Sequence, residues 1–322
     1  MLAGKMDCNV FSVINGCDVD SLSSSLLTQV LWWGKYFNHA GGNVIGGDLH
    51  CHSSWINQLM LEVSRVSRKE GNLMLAQKLL IDYLKSQNGL LCVGAKNKLS
   101  LEEVAQSFVD TTVKRVKPAV PISMVWHVQN AKAFTEMAKA LYSLEKHDSA
   151  MQVCAATALN LAQQMEDRDL HLRERGSRAL LTLAKWLQQE NQLVSAAVDN
   201  DGSALGRLLA WEKAYSSIND PSIFGFMNVQ NCNTISHNGV YVIPPTDAVI
   251  GRLLQLGVSR CPELGKAWSQ FASWCYRWGR RVVDTAGEAG GQLSEVDRVA
   301  VQQMMPPGIS ADELDKVYFI LS

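Results

Sequence analysis

With 322 residues, of which 47 % are hydrophobic and 19 % charged, the chain has enough apolar content to bury a large core and falls among ordered proteins. A formal net charge of −1 excludes wholesale electrostatic attraction to nucleic acid or anionic lipid, so no direct nucleic-acid or membrane partner is expected and any polyanion contact has to be local. Eight cysteines, at 8, 17, 51, 92, 154, 232, 261 and 275, show no paired spacing, and the N-terminus shows no secretory leader. That combination points to reduced thiols in a cytosolic or nuclear setting. No apolar run approaches the ~18 residues that a bilayer span needs.

In chain order, the first fifty residues predict one helix, Leu26 to Phe37, and a glycine-rich loop, Gly41 to Gly47. The loop fits neither a dinucleotide fingerprint nor a phosphate-binding loop and reads as a flexible connector. Ile56, Leu59, Val63 and Val66 then form one helical stripe and Leu73, Ala76, Leu80 and Tyr83 the next, with Gly71-Asn72 as the turn of an α-hairpin. The run Lys114-Arg115-Val116-Lys117-Pro118-Ala119-Val120-Pro121 cannot form regular helix and reads as a linker, because proline lacks the N–H donor and pushes its predecessor toward extended geometry.

Phe134, Met137, Ala138 and Leu141 open a second pair, broken at His147-Asp148, where Asp148 can cap a helix carrying Met151, Cys154, Ala158, Leu161 and Met165. Leu180, Leu183, Ala184 and Leu187 give a third face, ending near Glu190-Asn191. A surface excursion is expected over 219–245, where Asn238-Gly239 between two β-prone runs is a hairpin signal; Pro244-Pro245 then returns the chain to helix with Asp247 in its first turn. In the following helix, 262–284, Trp268, Phe271, Cys275, Trp278 and Val282 recur at helical steps and are the expected packing core of that segment. Gly287 to Gly291 reads as another connector.

The predicted turns lie at intervals that suit tetratricopeptide-like and HEAT-like arrays, in which each hairpin buries its second face only by stacking on a neighbour. The expected fold is an all-α solenoid of stacked hairpins. Its parts are an N-terminal helix and loop over 1–50, first repeats over 51–117, and further repeats over 118–322 with the excursion inserted.

Candidate chemistry is sparse. His50-Cys51-His52 is a compact set of metal-type ligands without a second pair to complete a tetrahedral site. Asp199 and Asp201 precede Gly202, but Leu208 stands where a calcium loop needs glutamate. Cys154 and Cys275 read as small core residues. Two cationic clusters are candidate polyanion sites: Arg277, Arg280 and Arg281 in the tryptophan-rich helix, and Arg65, Arg68 and Lys69 near the first hairpin turn. The plainer reading of each is a solvated or salt-bridged face.

The run Trp274-Cys275-Tyr276-Arg277-Trp278-Gly279-Arg280-Arg281, with Ala267-Trp268 before it and Val282-Val283-Asp284 after it, resembles the FAT domain of the phosphatidylinositol-3-kinase-related protein kinases. The helix-turn-helix at 64–80 and, more weakly, ISADELDKVYFIL at 309–321 share that resemblance. Within the family the likeness is to the branch that acts in nonsense-mediated mRNA decay. The resemblance implies a segment of a longer serine/threonine kinase, cut before the catalytic domain, since no Gly-rich loop with its lysine, Asp-Phe-Gly or catalytic loop is present; Ile223-Phe224-Gly225 lacks the metal-binding aspartate. No catalytic or metal-binding residue is therefore expected, and ATP and magnesium would belong to the absent kinase domain. The implied partners are that kinase domain, the N-terminal solenoid of the parent and the regulatory subunits of the surveillance complex. Inositol hexakisphosphate is the ligand that the resemblance suggests for an arginine cluster. Two other readings stay open, a free-standing tetratricopeptide-type peptide adaptor and an inositol polyphosphate-binding module.

Overall fold

Apolar residues at three- and four-residue steps are helical throughout the computed structural model, which describes residues 22–41, 49–86, 100–114, 128–163, 170–190, 202–218 and 245–288. Among these residues the fold is all-α, with no strand. The helices are α1 (Ser24–Gly41), α2 (Leu49–Lys69), α3 (Leu73–Ser86), α4 (Leu101–Lys114), α5 (Val128–Ser143), α6 (His147–Gln163), α7 (Leu170–Gln189), α8 (Ala204–Ile218), α9 (Pro245–Arg260) and α10 (Gly265–Glu288). None of them is long and apolar enough to cross a membrane. The glycine-rich loop after Gly41, the linker beyond Lys114 and the hairpin signal at 234–243 lie outside the described residues. The chain divides into two compact units, Met1–Cys154 and Ala155–Ser322.

In the first unit α2 and α3 form the expected hairpin. Its turn closes as a Schellman motif: Asn72 N–H donates to Ser67 O at 2.8 Å and Gly71 N–H to Arg68 O at 3.1 Å, with Gly71 at φ 83°. Glycine suits this left-handed position because it has no Cβ to clash. Asn72 Oδ1 then accepts from Leu75 N–H at 3.2 Å and starts α3. The predicted stripes of both helices are buried except for Leu73, which is partly exposed, and Ser64 ties them together by donating to Ala76 O at 3.1 Å.

The turn between α5 and α6 repeats this geometry at Glu145-Lys146, two residues earlier than the expected His147-Asp148 break. Lys146 N–H donates to Leu141 O and Glu145 N–H to Tyr142 O, and Glu145 takes the left-handed position at φ 62°. Between the two hairpins α4 is opened by a capping box, in which Glu103 N–H donates to Ser100 Oγ at 3.1 Å and Ser100 N–H to Glu103 Oε2 at 2.8 Å. Phe108 of α4 stacks on Phe134 of α5 with ring centroids 3.9 Å apart. α1 buries Leu27 and Leu31, packs on α2, and receives the Glu70 carboxylate at its Ser24 N–H at 3.0 Å.

In the second unit α9 packs against α7 and α10. The contact with α10 is a tryptophan seated on a glycine: a Cβ placed on Gly251 would lie 2.5 Å from Trp274 Cζ2 and 2.6 Å from its Cη2. Trp274 is 1 % exposed, whereas Trp268, expected in the core stripe, is 46 % exposed. Phe271 and Cys275 are intermediate, and Phe271 stacks beside Trp274. The buried edge of α10 thus runs through Ala267 and Trp274, one residue away from the expected positions at 268 and 275. The Trp278 side chain lies outside the described set.

Two stability predictions arise from these contacts. Gly251→Ala should lower unfolding stability by about 1–3 kcal/mol through overpacking and Trp274→Ala by about 3–5 kcal/mol through the cavity, both read by urea denaturation. Glu145→Gly should raise stability by about 0.5–1 kcal/mol by relieving the left-handed strain, visible as a higher urea midpoint at unchanged slope.

Candidate functional site

Among the described residues, several buried polar groups sit at joints between helices. On α2, Glu62 accepts from Arg65 Nε of its own helix at 2.8 Å and from Lys132 Nζ of α5. On α5, Glu136 accepts from Arg68 Nη2 of α2 at 2.9 Å, from Arg68 Nε at 3.2 Å and from Lys139 Nζ at 2.7 Å. Each helix therefore gives one carboxylate to the other's cation, a reciprocal pair of cross-ties. Nearby, Tyr83 of α3 is buried and donates its hydroxyl to Asn130 Oδ1 of α5 at 3.1 Å.

Burial of Glu136 works against its charge, but Lys139 and Arg68 outweigh it and hold the carboxyl below its ordinary range. Burial pushes the Tyr83 phenol up to about 12. Arg65 and Arg68 of the second cationic cluster thus take the salt-bridged form, engaged by Glu62 and Glu136, while Lys69 is exposed at the end of α2. In the other cluster Arg277 and Arg280 are exposed on α10, and the side chain of Arg281 lies outside the described set. The two clusters belong to different compact units.

Within the second unit α9 carries the joints. Ser177 of α7 donates its hydroxyl to Gly257 O at 2.8 Å, Arg260 Nη2 donates to Leu161 O of α6 at 3.2 Å, and Arg252 Nε donates to Glu212 Oε2 of α8 at 2.8 Å. Arg252 Nη2 also reaches the same carboxylate and Leu209 O. One helix thereby fixes three others through bonds to buried or half-buried partners. Sequence reading missed these ties because their members are 40 to 99 residues apart, although two mid-helix glycines in α9 signal close helix approach.

The remaining candidates carry less. The thiols of Cys261 and Cys275 are raised by burial, with Glu263 adding to the effect at Cys261, so neither is a ready thiolate at neutral pH. Cys154 is fully buried between apolar neighbours on α6. The side chains of Cys51 and His52 in α2 lie outside the described set, as does Asp201; Gly202 precedes a cap in which Gly206 N–H donates to Ser203 Oγ at 2.9 Å. No group of three metal-type ligands converges among the described residues.

The folded carboxyl of Glu136 titrates below its unfolded value of about 4.3, so its contribution to stability is complete above that pH and is lost as pH falls through the lower folded value. Glu136→Gln should therefore flatten the acid limb of the stability profile and cost about 3–5 kcal/mol at pH 7, because Arg68 and Lys139 would be left without their shared carboxylate. Tyr83 behaves oppositely: its raised value adds stability below pH ~10 that declines as pH rises toward 12, and Tyr83→Phe should remove that alkaline slope in pH-dependent denaturation.

No family model matches the chain. Over 276 residues, 83 % of its length, it is 28 % identical to serine/threonine-protein kinase SMG1 of Danio rerio. Along its full length it is 23 % identical to serine/threonine-protein kinase Smg1 of Drosophila melanogaster. It spans 7 % and 8 % of the lengths of these two relatives. The stacked helices and their cross-ties therefore belong to a chain that is similar, over most of its length, to a segment of the SMG1 serine/threonine-protein kinases.

Proposed function

We propose that this chain is a non-catalytic, FAT-type helical segment of an SMG1-like kinase, a scaffold that carries the kinase domain and offers surfaces to regulatory partners. The observation that bears most weight is the likeness to SMG1 over most of a chain in which Arg68–Glu136, Ser177–Gly257 and Arg252–Glu212 tie helix to helix. No Gly-rich loop with its lysine, Asp-Phe-Gly or kinase catalytic loop accompanies them in the sequence. Reciprocal ion pairs between α2 and α5 and the fixation of α9 by three neighbours make each unit stiff, so a push at one helix is passed to the next as a small shift. In this reading the chain acts in nonsense-mediated mRNA decay, in the cytoplasm with a nuclear pool. Its neighbours are the parent's kinase domain, the N-terminal solenoid and the regulatory subunits of the kinase complex.

The test is reconstitution. The chain with Mg-ATP and a helicase-derived substrate peptide should transfer no phosphate, and it should co-purify with a separately expressed kinase domain of an SMG1 relative. Phosphate transfer by the chain alone, or failure to associate with that domain, would overturn the proposal.

A further inference from the structure

α10 has a long outward face with two chemically different edges. Trp268 is 46 % exposed and Tyr276 61 % exposed. At about 100° per residue these two lie on one edge of the outer face, while Lys266, Arg277 and Arg280, all exposed, lie on the other. Ala272 lies between the two aromatics and Ser269 between Tyr276 and the basic edge; both are small and exposed, so a second helix can approach the backbone closely there. The sequence from Gly265 to Val283 contains no carboxylate.

We infer that this face is a docking surface for an acidic amphipathic helix of a protein partner, one with an apolar stripe beside a row of carboxylates. Charge complementarity selects the occupant: an exposed basic edge with no carboxylate in its own stretch of helix calls for an acidic one. Its span selects the shape. From Lys266 to Arg280 is fourteen residues, about 21 Å along the axis, which matches several turns of a partner helix and overreaches a compact polyphosphate. Trp268 is also already held for contact, since its Nε1–H donates to Pro262 O at 2.8 Å and fixes the indole while much of the ring stays exposed. A pre-ordered aromatic loses little freedom on binding and so serves as an anchor. The apolar stripe of the partner packs on Trp268 and Tyr276, and its carboxylates meet Arg277, Arg280 and Lys266.

The experiment is fluorescence anisotropy on the full 322-residue chain with a labelled helical peptide of about 18 residues carrying a leucine stripe beside a glutamate stripe. A scrambled peptide of the same composition is the control. The patterned peptide should bind at least about tenfold more tightly than the scrambled one, and more weakly as salt rises. Arg277→Glu with Arg280→Glu should reduce its affinity at least about tenfold, Arg277→Lys with Arg280→Lys should retain most of it, and Trp268→Ala should weaken it at unchanged circular dichroism. Equal binding of both peptides, no binding, or binding that survives charge reversal overturns the inference. Binding of inositol hexakisphosphate through the same arginines without binding of the patterned peptide also overturns it, because the cations would then serve a compact anion. Should charge reversal disturb the helical signal, Tyr276→Ser decides: it lies on the exposed edge, and unchanged peptide affinity in that variant sinks the proposal.

Discussion

A helical hairpin has more apolar surface than it can cover by folding on itself, and the architecture depends on how that surplus is buried. In the first unit α2 covers one side with α3 and another with α5, so Val63, Val66, Phe134 and Met137 lose nearly all contact with water. At roughly 25 cal/mol per Å² this burial is the main driving force, but it is indifferent to register. Register comes from polar groups placed at the joints. Glu62 with Lys132, and Arg68 with Glu136, specify which turn of α5 meets which turn of α2.

The second unit solves the same problem mostly without ion pairs. Trp274 needs a neighbour with no side chain, and Gly251 provides it. Ser177 buries its hydroxyl against Gly257 only because the carbonyl there is within reach, which again requires close helix approach. Packing density and hydrogen-bond satisfaction impose a single arrangement together, since a shift of either helix would bring Trp274 onto a Cβ or leave Ser177 without its acceptor.

The helices themselves are plain in the sequence. The stripes through Ile56 to Val66, Phe134 to Leu141 and Leu180 to Leu187 are all buried, because period and composition decide which face of a helix turns inward. The Gly71-Asn72 turn is equally legible, since a left-handed position asks for glycine. The second turn is less so: Glu145 occupies the same conformation with no glycine to mark it. The buried edge of α10 lies one residue from the stripe that the sequence predicts, because apolar residues stand at both 267/271/274 and 268/271/275. Only the missing side chain on Gly251, far away in the sequence, decides between them. For the same reason the role of Arg68 is not legible from α2 alone, since its carboxylate sits on another helix, whereas Arg65 finds Glu62 three residues back on α2 itself.

The crossed polarity of the α2–α5 seam acts as a detent. Advancing α5 by one turn, about 5.4 Å, would carry Lys132 away from Glu62 and alongside Arg65, while Glu136 would leave Arg68 behind. Slippage in that direction is thus opposed by both lost attraction and new repulsion, and slippage the other way separates Lys132 from Glu62 and Glu136 from Arg68, whereas a slight rocking of the two cylinders about their line of contact keeps every pair within reach. Deformation of this seam is therefore confined to a hinge-like tilt, and load entering along either axis passes through as if the two rods were keyed together.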